Sequence, residues 1–341
     1  MAISTAVYSK TAFRFAIAQE TTFGTAITTQ ASFQELHITE PPTLDTATAV
    51  VTDETPRIDG SAVMGVGDIY KTQAGAITTV TVSGILTTPV LELLLEGVFQ
   101  NKATSSLEDT YAWDSSTSVI GDPASQTFFT LALHDPISGE GKQLTSAFLK
   151  TLEITWDAGS NGGRASFSAT FISGLALGTT STFTPGSWTS PGTAYFTTSG
   201  LDSKQLNSAD IVTNNFSFSL DNGATFWGVD SSGYAEGCTV GAAGGKGYVA
   251  SGSISAKYDT NTEDLIDKAL ANPTAGSADI ILALTFNSGD ATNEVSFTAN
   301  CVLDSANYNF GQDAGVFRDL PFKCVYESTT DAITVVVGTN A

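Results

Sequence analysis

The sequence predicts a mostly β fold built from two related halves, and three observations carry that prediction. Apolar and polar residues alternate with period two along many short segments, as strands with one buried face require. Thr, Ser, Gly and Val are abundant, a composition that favours strands joined by turns. The order of these segments occurs twice along the 341 residues, and a repeated order points to a duplicated unit.

Taken in order, the first half opens with QELHITE at Gln34 and an alternating strand that ends in VTVSG, Val80 to Gly84. An apolar run follows, TPVLELLLEGVF from Thr88 to Phe99. Thr88 is placed to cap a helix, Pro89 costs nothing in a first turn, and Leu91, Leu94, Leu95 and Val98 recur on one face. Next come FFTLALHD at Phe128, LKTLEITWD at Leu149 and GRASFSATFIS at Gly163. The second half repeats this order: NNFSFSLDNG at Asn214, YVASGSIS at Tyr248, DIILALTF at Asp279, EVSFTANCVLD at Glu294 and FRDLPFKCVYES at Phe317. Its helix is expected over Thr262 to Pro273, with capping-box spacing at Thr260 to Glu263 and a proline stop. The division that follows is an N-terminal arm over 1–30, a first domain over 31–175, a Gly/Thr/Ser/Pro-rich linker over 176–212 and a second domain over 213–341.

Composition excludes several function classes. The formal charge is −21, with 35 acidic and 14 basic residues. It is spread evenly, net −10 over residues 1–175 and −11 over 176–341. No basic footprint for gripping phosphates stands out, so sequence-reading nucleic-acid binders are disfavoured. Cys238, Cys301 and Cys324 are an odd number and imply no disulfide framework, so they read as buried thiols. No apolar signal core opens the chain, and no run approaches about 18 apolar residues. The expectation is a product made in the cytoplasm, with no membrane partner.

Material for catalysis is sparse. His37 and His134 have no partner at metal-ligand spacing. The loop Gly241 to Gly247 resembles a phosphate loop only in its Gly-Lys pair, because Val240 and Gly247 stand where a glycine and a hydroxyl are required. Ser138 to Gln143 fails likewise, and the Gly65 to Gly67 stretch lacks a third glycine. Asp221-Asn222-Gly223 and Gly289 to Glu294 lack calcium-loop spacing and suit turns. The sequon Asn215-Phe216-Ser217 falls in an expected strand. The reading is no enzyme, no cofactor and no metal, in a protein whose task is to assemble with copies of itself.

The stretch FRFAIAQETTFGTA, Phe13 to Ala26, has the pattern Ala-x-Glu-x-Thr-x-Gly-Thr. With VTVSG followed by TPVLELLLEG, and with SGSISAKYDTNTEDLIDKAL, it resembles the tail tube, or major tail, proteins of long-tailed bacteriophages. The resemblance spans nearly the whole chain in element order. It implies a β-sandwich or split-barrel unit with a flanking helix. The resemblance also implies that copies close into rings, that rings stack into a hollow tube in the virion tail beside other tail proteins, and that DNA passes through without specific binding. Many members hold one such unit per chain, whereas this chain holds two. Three chains per ring with pseudo-sixfold symmetry are therefore expected, with six-chain rings as the alternative. A capsid decoration protein or an adhesin module fits the composition as well. A carbohydrate-active enzyme would need paired carboxylates in a cleft, and no pair is singled out.

Two sets of residues are candidates for the assembly. The polar faces of alternating strands, Ser166, Ser168 and Thr170 in one half and Ser296, Thr298 and Asn300 in the other, are expected to line the channel. Residues 40–76, including Asp53, Arg57, Asp59 and Asp68, are expected to form an arm to a neighbouring subunit, because the segment far exceeds an ordinary hairpin loop.

Overall fold

The period-two segments fold as antiparallel strands in a computed structural model that describes residues 12–46, 49–52, 69–72, 77–105, 108–113, 126–135, 140–175, 178–228, 237–239, 247–265, 280–287, 294–304, 307–310, 316–326 and 331–338. The chain begins with β1 (Arg14–Gln19), β2 (Gln34–Glu35), β3 (Thr43–Thr46), β4 (Ala49–Thr52), β5 (Ile69–Thr72) and β6 (Thr78–Ile85), then the helix α1 (Thr88–Phe99). After it come β7 (Ala103–Thr104), β8 (Glu108–Trp113), β9 (Phe129–His134), the long β10 (Glu140–Asp157), β11 (Ser166–Ser173) and β12 (Gly178–Thr182). Further on lie β13 (Leu201–Leu206), β14 (Ala209–Asp210), β15 (Thr213–Asp221), β16 (Thr225–Trp227), β17 (Gly237–Thr239) and β18 (Val249–Lys257). The described strands end with β19 (Ile280–Asn287), β20 (Glu294–Leu303), β21 (Asn307–Phe310), β22 (Val316–Cys324) and β23 (Ile333–Gly338).

The same order of pairings occurs in both halves. In the first, β6 pairs with β11, β11 with β10, β10 with β9, and β9 with β1. In the second, β18 pairs with β22, β22 with β20, β20 with β19, and β19 with β13. β12 continues the β11 side of β10, as β23 continues the β22 side of β20. The stretch expected to be a linker thus carries β12 and β13, and the stretch expected to be an arm carries β1. β1 lacks alternation because both its faces are covered: Phe15 and Ile17 join the main core, and Ala16 and Ala18 join a second cluster with Phe33, Phe183 and Trp188.

One contact recurs in both halves at atomic detail. Gly84 lies opposite Phe167, and Gly252 opposite Phe322. A Cβ on Gly84 would fall 2.3 Å from the His37 carbonyl oxygen and 2.9 Å from the Phe167 ring. On Gly252 it would fall 2.2 Å from the Ser217 carbonyl oxygen and 2.5 Å from the Phe322 ring. Both glycines are therefore required for close approach of backbone and ring, not for a turn.

Helix α1 forms as its spacing requires, with Leu91, Leu94, Leu95 and Val98 fully buried. Its cap differs from expectation. Thr87 holds the cap position, and its hydroxyl donates instead to the Pro191 carbonyl at 2.6 Å. Thr88 is inside the first turn and buried. Residues 260–264 form a turn, where the Thr262 hydroxyl accepts from the Asp259 N–H at 3.0 Å and donates to the Lys257 carbonyl at 2.7 Å. The rest of the second expected helix, from 266, lies outside the described residues.

A single main cluster of buried residues runs through both halves, from Phe15 to Val337. Glu20 is buried beside it, where β10 breaks register between Leu144 and Ala147 and Ser146 takes φ 49°. Its carboxylate accepts from the Ser146 N–H and hydroxyl, each at 2.8 Å, and from the Thr130 hydroxyl at 2.6 Å. Burial raises its pKa above the ordinary 4.5, and these hydrogen bonds pull the other way. A carboxyl raised in the folded state contributes most below pH 4.5, and that contribution is lost as pH rises through its folded value. Glu20→Gln is therefore expected to flatten the rise in thermal midpoint on acidification from pH 7.5 to 4.5, and an unchanged slope would remove Glu20 as its source.

Candidate functional site

Register builds one continuous polar face across six strands, β6, β11, β10, β15, β18 and β22. One row reads Ser83, Ser168, Glu153, Ser219, Ser251 and Lys323. On one side of it lies Thr81, Thr170, Thr151, Asp221 and Val249, and on the other Ile85, Ser166, Thr155, Ser217, Ser253 and Pro321. Hydroxyls hold one another across the strands: Ser83 donates to Ser168 at 3.3 Å, Thr81 and Thr170 share a bond at 3.4 Å, and Thr155 and Ser166 share one at 2.8 Å. Charge in these rows comes from Glu153, Asp221 and Lys323. The opposite side is the core, where Gly84, Phe167, Ile154, Phe218, Gly252, Phe322 and Leu303 form an apolar row through both halves.

The two halves meet in this sheet. Thr151–Asp157 of β10 pairs with Asn215–Asp221 of β15. A second join sets β8 against β23, from Glu108 opposite Gly338 to Trp113 opposite Ile333. Along the first seam, Trp156 stacks on Phe216 at 5.8 Å, and Phe218 lies 5.5 Å from Phe297 and 5.6 Å from Phe322.

The candidate channel residues separate into two places. Ser166, Ser168 and Thr170 are half-buried members of the six-strand face. Ser296, Thr298 and Asn300 stand on β20 where it pairs with β19. Ser296 shares a hydrogen bond with Thr285 at 3.2 Å, Thr298 is exposed, and Asn300 is buried with its amide donating to the Asp331 carbonyl at 2.7 Å. Asp53, Arg57, Asp59 and Asp68 lie outside the described residues.

Elsewhere, His37 shares a hydrogen bond with the Tyr195 hydroxyl at 3.2 Å, and His134 sits in the β9 ladder opposite Arg14. Asp221-Asn222-Gly223 is a turn, in which Asp221 accepts from the Gly223 N–H at 2.8 Å. Among the described residues no cluster of three or more His, Cys, Asp or Glu could hold a metal, and no helix is long and apolar enough to cross a membrane. Burial pushes the Cys238 thiol up to about 12.

Sequence reasoning missed Arg318, which is 1% exposed. Its guanidinium donates to the Thr262 carbonyl at 2.6 Å and lies over the Tyr258 ring at 4.1 Å. The signal was present: Arg318 occupies the buried parity of β22, in line with Leu320 and Phe322. A family model described as phage tail tube protein matches residues 13–324. Comparison with curated proteins finds no match.

Proposed function

The chain belongs to the phage tail tube protein family, and from that premise we propose that three copies close into a ring with pseudo-sixfold symmetry whose stacking builds the hollow tube. Its place is the virion tail, and its role there is structural. One observation carries the three-chain reading: each half has the same pairing order, and within one chain the halves already lie side by side through β10 and β15. A ring repeats such a head-to-tail contact until it closes. On this account residues 31–175 and 213–341 carry the bodies of the two tube units, and β1 from 1–30 with β12 and β13 from 176–212 join their sheets.

The channel wall is assigned to the six-strand hydroxyl face, with Ser166, Ser168 and Thr170 in it. Asn300 is left out because its side chain is committed to Asp331. Small hydroxyls beside Glu153 and Asp221 suit passage of a duplex, since each Lys or Arg contact to phosphate would add salt-sensitive affinity and hold the DNA back, and the one cation in these rows, Lys323, lies 3.8 Å from the Asp304 carboxylate. Residues 40–76 are the proposed contact to the neighbouring subunit or ring.

Purified protein is expected to form hollow rods under the electron microscope, with three chains per ring in a reconstruction. Six chains per ring would overturn the stoichiometry, and failure to form rods under any assembly condition would overturn the reading itself. Normal tubes from a chain lacking residues 52–66 would remove the arm from this account.

A further inference from the structure

Cys301 on β20 and Cys324 on β22 stand directly opposite each other. The ladder's hydrogen bonds fall on the flanking residues, Val325 N–H to the Asn300 carbonyl at 2.8 Å and Asp304 N–H to the Pro321 carbonyl at 2.9 Å. The cysteine pair is therefore a non-hydrogen-bonded one, the type whose Cα atoms approach to about 4.5 Å and whose side chains are closest. A disulfide spans Cα separations of about 4.4–6.8 Å. Both side chains share the apolar face of the ladder, Cys301 fully buried and Cys324 partly buried against the same core. The Cys301 thiol donates to the Ala299 carbonyl at 3.5 Å, and the neighbouring Cys324 thiol, together with burial, raises the pKa of Cys301.

The virion is a compartment where disulfides persist, unlike the reducing cytosol. We propose that Cys301 and Cys324 are a covalent modification site, closing to a cross-strand disulfide when the protein meets a small-molecule disulfide such as oxidised glutathione. The inference is independent of ring stoichiometry. Cys324, the more accessible of the two, attacks as thiolate on one sulfur of the oxidant, and a glutathione thiolate leaves. Cys301 then gives up its proton and attacks the Cys324 sulfur, which breaks the mixed disulfide and releases the second glutathione thiolate. Two protein thiols lose two electrons, one oxidant disulfide gains them, and the two protons end on glutathione. The buried Cys301 makes the second step the slow one, so closure is faster in alkaline medium. The matching positions of the first half are Leu152 and Ala169, so the staple belongs to the second half alone.

The full chain is incubated with oxidised glutathione at pH 8.5, then denatured and alkylated. Expected are one alkylated thiol in place of three, a linked peptide pair containing Cys301 and Cys324, and a raised thermal midpoint that dithiothreitol reverses. Cys324→Ser is expected to keep both remaining thiols alkylatable and to show no gain in midpoint. Three alkylatable thiols after prolonged exposure, or a lasting glutathione adduct on Cys324 without linkage, would overturn the proposal.

Discussion

Replacing Phe218 with alanine is expected to lower the unfolding free energy by about 3–5 kcal/mol, the range for truncating a fully buried aromatic residue. Phe218 is 1% exposed. It sits between Ile154 of the first half and Gly252 of the second, and its ring touches Phe216, Phe297 and Phe322. Alanine leaves a cavity at the seam that Gly252 cannot fill and that flanking strands cannot close without breaking their ladders. A shift of the urea midpoint with an unchanged slope reads the effect as stability alone. The neighbouring Ser219→Ala, on the exposed face, serves as control and is expected within about 0.5 kcal/mol of the parent. A Phe218→Ala loss below about 1 kcal/mol would show that the seam is not a packed core.

Arg318→Met is the second large effect, expected at about 1.5–3 kcal/mol, the range for hydrogen bonds made by a charged group. Methionine keeps the apolar stem but leaves the Thr262 carbonyl without the donor seen at 2.6 Å. It also removes the cation over Tyr258. The turn that brings Leu265 into the core should then exchange its amide protons faster, read at the Leu265 N–H, which bonds the Thr262 carbonyl at 3.3 Å. Arg318→Lys is expected to do no better, because an ammonium does not reproduce a planar fork that reaches both Thr262 and Glu263. Full stability in the lysine variant would mean that charge alone holds the turn.

Much of the fold was legible because its signals are local. Alternation located β11, β20 and the strands that mirror them, and the leucine stripe located α1. The Ser-Gly pair in each half was readable as a repeat, yet its physical purpose, room for Phe167 and Phe322, needed the partner strand. The seam between β10 and β15 was not readable, since antiparallel pairing leaves no mark in either strand beyond an apolar face. The hydroxyls of Ser166, Ser168 and Thr170 were correctly read as facing away from the core, but alternation says nothing of which strands carry the rows onward. That is why Asn300 was grouped with them: parity gives the face of a strand, and burial by a neighbouring segment at Asp331 is a tertiary fact.

The join between β8 and β23 also sets a schedule. Trp113 finds its partner Ile333 220 positions later in the chain. At synthesis rates of about 5–20 residues per second, the β8 edge waits roughly 10–45 s for the strand that covers it. During that interval the nascent first half presents unpaired backbone groups on one side of β8, open to pairing with the wrong strand. The β8 edge is thus closed by a strand made 220 residues after it, and the subunit cannot complete this part of its sheet before β23 has emerged.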